Sequence, residues 1–322
     1  MPQEIPTQPP DQGPASPLAH LRPCTPMEML DRATALLRSR WRLLLPLGLL
    51  HALPDSLALT AIVAVVEGKG GKGPPDYLAP LFMLAWLASQ WPNAAMIIAT
   101  INGFIFPDRH IGLWMSLRYA LARLPYLILT RLHIMFTLVL LLMPLATLVM
   151  PSETEAGLGG PIVLMAAAGL VAAVFLALFC MLVPPIVMVE QKWFFRAMGR
   201  SIALMRPAFK RGLPGDRPAT RVLLLLVVPA ALYAGAQAAL NGISYNITGL
   251  PVFGLDYHPA VWLATAALMF PAKFLAGLWL CAGVSMLYLE CRMRTEGFDL
   301  FVRLQARTRG LSETPAWAEQ TD

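Results

Sequence analysis

The sequence predicts an all-α polytopic membrane protein: six transmembrane helices, with three or four amphipathic interfacial helices on the cytoplasmic side. Three observations carry this. Apolar segments at residues 43–66, 78–106, 132–150, 162–189, 222–240 and 261–289 are each long enough to cross a hydrocarbon core, which takes roughly 20 helical residues. Only 14% of the chain is charged while 57% is hydrophobic, against about 25% charged in a soluble domain. The connectors between the segments alternate between arginine-rich and nearly cation-free.

Lipid dictates the secondary structure of such segments. Backbone groups in hydrocarbon must bond internally, so each span is a helix. The runs are continuous rather than alternating, which argues against a lipid-facing barrel. Of the 25 Lys and Arg residues, all but Lys69, Lys72 and Lys273 fall in the N-terminal segment, the second and fourth connectors and the C-terminal segment. The positive-inside rule therefore puts both termini in the cytoplasm. The basic pI of about 9.4 reports this orientation, not nucleic-acid binding.

Residues 1–26 are Pro- and Gln-rich without an apolar core, so they read as a disordered cytoplasmic tail rather than a cleavable leader. The membrane domain runs over 27–304, and 305–322 form a second cytoplasmic tail. Residues 27–41 are amphipathic, with Leu30, Ala33, Leu36 and Leu37 on one face, and precede the first span. Residues 111–124 repeat that style before the third span, with Trp114, Leu117, Leu121 and Leu124 apolar. Residues 193–209 do so before the fifth, with Phe194, Met198, Ile202 and Met205. Helices of this kind lie in the headgroup plane, with arginines reaching phosphate. The candidate anionic-lipid contacts are Arg38, Arg118, Arg123, Arg196, Arg200 and Arg206. The strings Ala35-Leu36-Leu37-Arg38, Ala120-Leu121-Ala122-Arg123 and Ala203-Leu204-Met205-Arg206 recur at near-equal intervals, each ahead of a pair of spans. A threefold helix-plus-hairpin repeat is one reading of this, and chance among common residues is the other.

Ionisable groups inside spans are costly and so draw functional interest. His51 and Asp55 share a face of the first span, and Lys273 lies well inside the sixth. An Asp55–Lys273 pair would tie the first and last spans together. With Gln90 and Asn93, which flank Trp91-Pro92 in the second span, these residues make a candidate intramembrane polar site. Pro184-Pro185 predicts a kink in the fourth span before its cytoplasmic end. Small residues at four-residue spacing mark close helix contacts. They occur at Gly169, Ala173 and Ala177, at Ala231, Gly235 and Ala239, and at Gly277, Cys281 and Ser285. Packing within the chain is the default; a homo-oligomer or another membrane protein is the alternative partner. Cys24 and Cys291 fall on the cytoplasmic side, and no cysteine spacing suggests zinc or a cofactor.

The close of the last span is the most specific stretch. Glu290–Arg294 and Arg292–Glu296 are i,i+4 pairs, and Gly297 is placed to end the helix. Tyr288, Arg292-x-Arg294 and Glu296-Gly297-Phe298-Asp299-Leu300 together resemble a bacterial family of six-span membrane proteins. That family is related to the membrane domain attached to some glycerophosphodiester phosphodiesterases. Glu190 followed by Ala197, Arg200, Ser201 and Leu204 resembles a second element of it. This chain departs at Leu289-Glu290, where an aromatic–Asp step is usual, and at the stretch 212–220. The resemblance implies architecture rather than an activity. No soluble region is long enough for the hydrolase barrel, which takes about 250 residues.

The expected function is thus a non-enzymatic integral protein of the bacterial inner membrane, a lipid-contacting scaffold or accessory factor in an envelope or lipid-related process. A transporter of a solute, ion or lipid, built on the intramembrane polar groups, is the alternative. An intramembrane enzyme is disfavoured, because Ser285 and Lys273 lie ~18 Å apart on one helix.

Overall fold

A computed structural model describes residues 23–67, 78–106, 112–149, 159–210, 218–248 and 259–298. The described residues are almost wholly helical, with no strand among them. The helices are α1 (Pro26–Ser39), α2 (Trp41–Glu67), α3 (Leu78–Ile105), α4 (Leu113–Val149), α5 (Gly159–Cys180), α6 (Val183–Glu190), α7 (Phe194–Lys210), α8 (Pro218–Thr248) and α9 (Pro259–Glu296). Among the described residues, four stretches are long and apolar enough to cross a membrane: Leu113–Met143, Val163–Glu190, Thr220–Ile243 and Thr265–Glu296. These apolar helices mark a multi-pass membrane protein.

Local chemistry explains where the helices start and stop. Thr25 caps α1, its hydroxyl accepting the Glu28 N–H at 3.2 Å, and Pro26 opens the helix with no N–H to leave unsatisfied. The chain breaks at Met181-Leu182, just ahead of Pro184-Pro185, which cannot donate into the preceding turn. Gln191 in the left-handed region (φ 54°) turns the chain out of α6 toward α7. Gly297, at φ 61°, ends α9, its N–H bonding the Met293 carbonyl at 3.2 Å.

One expected boundary is absent. Residues 113–124 are not a separate interfacial helix but the first third of α4, whose 37 residues extend ~55 Å. No glycine interrupts 113–149, and Pro125 sits inside the helix without ending it. The three Ala-Leu-x-Arg strings do not sit alike either. Leu36 and Leu204 are buried in their helices, whereas Leu121 is exposed and Ala120 takes the inward position.

The long helices pack in the spatial order α8, α9, α2, α3, α4, α5, with α3 also touching α9. Short helices gather at one end, here termed the collar: α1 packs on α9 and touches α2, α3 and α8, while α6 and α7 bridge α4 and α9. Burial concentrates there. Residues 94–105 of α3 are buried on every side, as are most of 281–291 of α9. Away from the collar α4 exposes Met135, Phe136, Val139, Leu140 and Met143, and α5 exposes Val163, Leu164, Met165, Val171 and Phe175, as lipid-facing surface would.

Small residues set the close approaches. A Cβ at Gly48 would meet Phe274 at 2.9 Å and Leu278 at 2.8 Å, and one at Gly277 would meet His51 at 3.1 Å. These contacts seat α2 directly against α9. A Cβ at Gly169 would overlap the Leu141 carbonyl of α4. By contrast Ala231, Gly235 and Ala239 of α8 are exposed, and nothing lies within 4 Å of a Cβ at Gly235.

Gly169→Ala is therefore expected to separate α4 from α5 and lower stability by about 1–3 kcal/mol. Gly235→Ala should be neutral or stabilise by up to about 1 kcal/mol. Thermal unfolding of both variants in one detergent decides the matter; equal behaviour would refute the α4–α5 contact.

Candidate functional site: a charged hub at the end of α9

Helical geometry makes the end of α9 a two-sided post. At about 100° per residue, Tyr288, Arg292 and Glu296 form one stripe. Glu290 and Arg294 form another, on roughly the opposite side. Each stripe engages a different part of the chain.

The first stripe faces α6 and α7. Glu190 closes α6, and its carboxylate accepts from the Tyr288 hydroxyl at 3.0 Å, from Arg200 Nε at 2.8 Å and from Lys192 Nζ at 2.9 Å. Arg292 donates to the Tyr288 hydroxyl at 3.2 Å and to Glu296 at 3.0 Å. Its guanidinium also lies 4.2 Å from the centre of the Phe298 ring. Arg200 pairs with Glu296 as well, so two carboxylates and three cations interlock. Ser201 next to Arg200 is buried and donates to the Phe179 carbonyl of α5.

The second stripe faces α8 and the chain's first described residues. Glu290 is 2% exposed and pairs with Arg221 of α8, itself 2% exposed, at 3.1 Å. Arg294 pairs with Glu290 from the next turn. The same carboxylate accepts the Cys24 backbone N–H at 3.1 Å and its thiol at 3.3 Å. The Cys24 carbonyl in turn accepts from Arg221 and from Arg294, each at 2.8 Å. Every polar atom of Cys24 is thus bound to α8 or α9. Burial, reinforced by the Glu290 carboxylate, pushes the Cys24 thiol up to about 12.

The hub gathers most of the motif read from the sequence: Glu190, Arg200, Tyr288, Arg292, Arg294 and Glu296, with Gly297 ending the helix beneath them. Asp299 lies outside the described residues. Cys24 and Arg221 were not anticipated, and no local spacing marks either. The clue available was Glu290 itself, an acidic residue at the edge of an apolar run among arginines.

The intramembrane candidates assemble in part. His51 Nδ1 lies 3.0 Å from the Ser89 carbonyl, and its ring packs by Gly277, one turn from the buried Lys273. Gln90 and Asn93 of α3 both meet Arg131 of α4, a residue the sequence places in a connector. Gln90 Oε1 accepts from Arg131, and the Asn93 amide, turned oxygen-inward, lies 3.3 Å from both terminal guanidinium nitrogens. The side chain of Asp55 lies outside the described residues, so its pairing with Lys273 does too.

The structure divides the six candidate lipid-contact arginines. Arg200 is held in the hub, and Arg123 donates to the Met188 carbonyl of α6. Arg38, Arg118, Arg196 and Arg206 are exposed and make no ion pair with a described residue.

No protein-family model, curated protein or solved structure matches this chain.

Removing one partner of a buried pair strands the other charge, which typically costs about 3–5 kcal/mol. Glu290→Gln should therefore destabilise strongly, and Arg221→Met in the same chain should recover much of the loss. A double-mutant cycle on thermal unfolding tests this; additive losses would show that the two do not pair. The raised Cys24 thiol should also react with iodoacetamide at pH 8.5 on the order of a thousandfold more slowly than in the unfolded chain. Mass spectrometry of the labelled peptide reads it, and labelling at the unfolded rate would mean that the segment is not latched.

Proposed function

We propose that this chain is a six-span protein of a bacterial cytoplasmic membrane, with both ends inside, that does no chemistry itself. It serves as a scaffold or accessory factor in an envelope or lipid-related process and gathers anionic lipid around its collar. The six-span family resemblance read at Glu190 and at the close of α9 belongs to this reading.

One observation carries the proposal: at the collar end an exposed tryptophan lies beside an exposed arginine in three places, at the starts of α2, α4 and α7. Trp41 (54% exposed) precedes Arg42, whose guanidinium lies 5.8 Å from its ring centre. Trp114 (74% exposed) lies one turn before Arg118, and Trp193 (47% exposed) lies just before Arg196. Exposed Leu113, Met115 and Leu121 extend the apolar surface on α4, and Phe195 and Ile202 do so on α7. Tryptophan favours the headgroup boundary, and arginine beside it reaches lipid phosphate. A collar facing water alone would leave this much aromatic surface wet.

The non-enzymatic reading rests on how the carboxylates are used. Glu190, Glu290 and Glu296 are each bridged by arginine, and Glu28 by Arg32 at 2.7 Å. Carboxylates whose oxygens are taken up by arginine are poorly placed to accept a proton from a substrate.

Tryptophan quenching by brominated lipid tests the proposal in reconstituted vesicles. Brominated phosphatidylglycerol should quench more than brominated phosphatidylcholine at equal mole fraction. Each basic residue near an anionic surface is worth about 1 kcal/mol, so replacing Arg38, Arg118, Arg196 and Arg206 by Gln should lower that preference several-fold. Equal quenching by both lipids in the unaltered protein would sink the reading.

A further inference from the structure

The link between α6 and α7 is held in a costly shape. Gln191 and Phe194 both sit in the left-handed region, each at φ 54°, and neither is glycine. A Cβ makes that region unfavourable, and a bulky ring more so. Two such residues within four persist only where their surroundings hold them. Here α4 does the holding. Thr130 Oγ1 accepts the Phe194 N–H at 3.1 Å, and the His133 ring lies 4.4 Å from that of Phe194 and 5.1 Å from that of Phe195. The Trp193 ring lies 5.7 Å from that of Tyr126, and Lys192 is tied back to Glu190 at 2.9 Å. Separation from α4 would let the link relax.

The helix that follows can leave without stranding a charge. Arg200 ties α7 to Glu190 and Glu296. Were it withdrawn, Glu190 would keep Lys192 at 2.9 Å and the Tyr288 hydroxyl at 3.0 Å, and Glu296 would keep Arg292 at 3.0 Å. The face that α7 buries is mostly apolar: Ala197, Leu204 and Met205, with Ser201 bonded to the Phe179 carbonyl. Turned onto lipid rather than water, such a face loses little, since a lipid tail is as apolar as the side chains it leaves.

We infer that the α6–α7 joint is a strained hinge and α7 a lever, docked in this structure, that lifts onto the bilayer surface in the presence of anionic lipid. A ligand shifts an equilibrium only by its preference between the two states. Arg200 supplies that preference. Docked, its guanidinium is taken by two carboxylates; lifted, it joins the exposed Arg196 and Arg206 against lipid phosphate. The lipid trigger rests on the function proposed above; the hinge does not.

Spin labels at Gly199→Cys on α7 and Leu223→Cys on α8 read the lever in the full chain by double electron–electron resonance. Both positions are exposed, and a Cβ at Gly199 meets nothing within 4 Å. The four native cysteines are buried. In nanodiscs two distances should appear, docked and lifted. Replacing phosphatidylcholine by phosphatidylglycerol should raise the lifted-to-docked ratio about fivefold, the effect of one further arginine at an anionic surface. Gln191→Gly, which fits the left-handed region without strain, should lower the ratio about two- to fivefold. Thr130→Val, which removes the acceptor of the Phe194 N–H, should raise it about tenfold. A single distance in both lipids, unchanged by Gln191→Gly, would overturn the hinge even if Thr130→Val proves unstable, and would leave the collar's lipid preference to its own quenching test. Two distances in a ratio that phosphatidylglycerol does not move would overturn lipid control of the lever. Equal quenching by the two lipids, with both distances present, would instead refute the function proposed above.

Discussion

Everything at the collar hangs on a carboxylate that water cannot reach. Glu290 is charged, buried and placed where the last long helix leaves its apolar run, so its desolvation must be offset on the spot. Arg221 and Arg294 offset it, and the Cys24 peptide completes the shell. Satisfying one group thereby ties α8, α9 and the entry to α1 together. Glu190 does the same for α6, α7 and the opposite side of α9. Both circuits need α9 in place, so a single helix end holds all three short collar helices.

The rest of the molecule needs no such anchoring. Between helices in hydrocarbon there is no hydrophobic drive, since a lipid tail is as apolar as leucine. Contact must come from close fit or polar pairing. Close fit occurs at Gly48, Gly169 and Gly277, and polar pairing at Thr100–Ser285 and His51–Ser89. On the faces of α4 and α5 turned away from such contacts, large apolar side chains stay exposed. The burial gradient from collar to far end follows from this solvent difference.

Local signals in the sequence revealed much of the fold. Apolar run length located the long helices, Pro184-Pro185 a kink where the structure separates α5 from α6, and Gly297 the stop. The i,i+4 spacing revealed Glu290–Arg294 and Arg292–Glu296, because a helix brings such residues together whatever surrounds it. Long-range partners stayed hidden. Cys24 and Glu290 are 266 residues apart, and nothing near either identifies the other. Arg131 was misplaced for a related reason: an arginine at the edge of an apolar run reads as a topological marker until a facing helix supplies Gln90 and Asn93. The continuity of α4 was hidden by an amphipathic stretch that suits a surface helix and a bundled one equally well.

The arginines show how one residue type acquires two uses. Many arginines lie at the collar end, and their side chains go different ways there. What separates them is their nearest partner. Arg200, Arg221, Arg292 and Arg294 each have a glutamate within reach and turn inward, where the pair is shielded from salt. Arg42, Arg118 and Arg196 lie beside a tryptophan instead and stay exposed, the arrangement from which the lipid-gathering role is proposed.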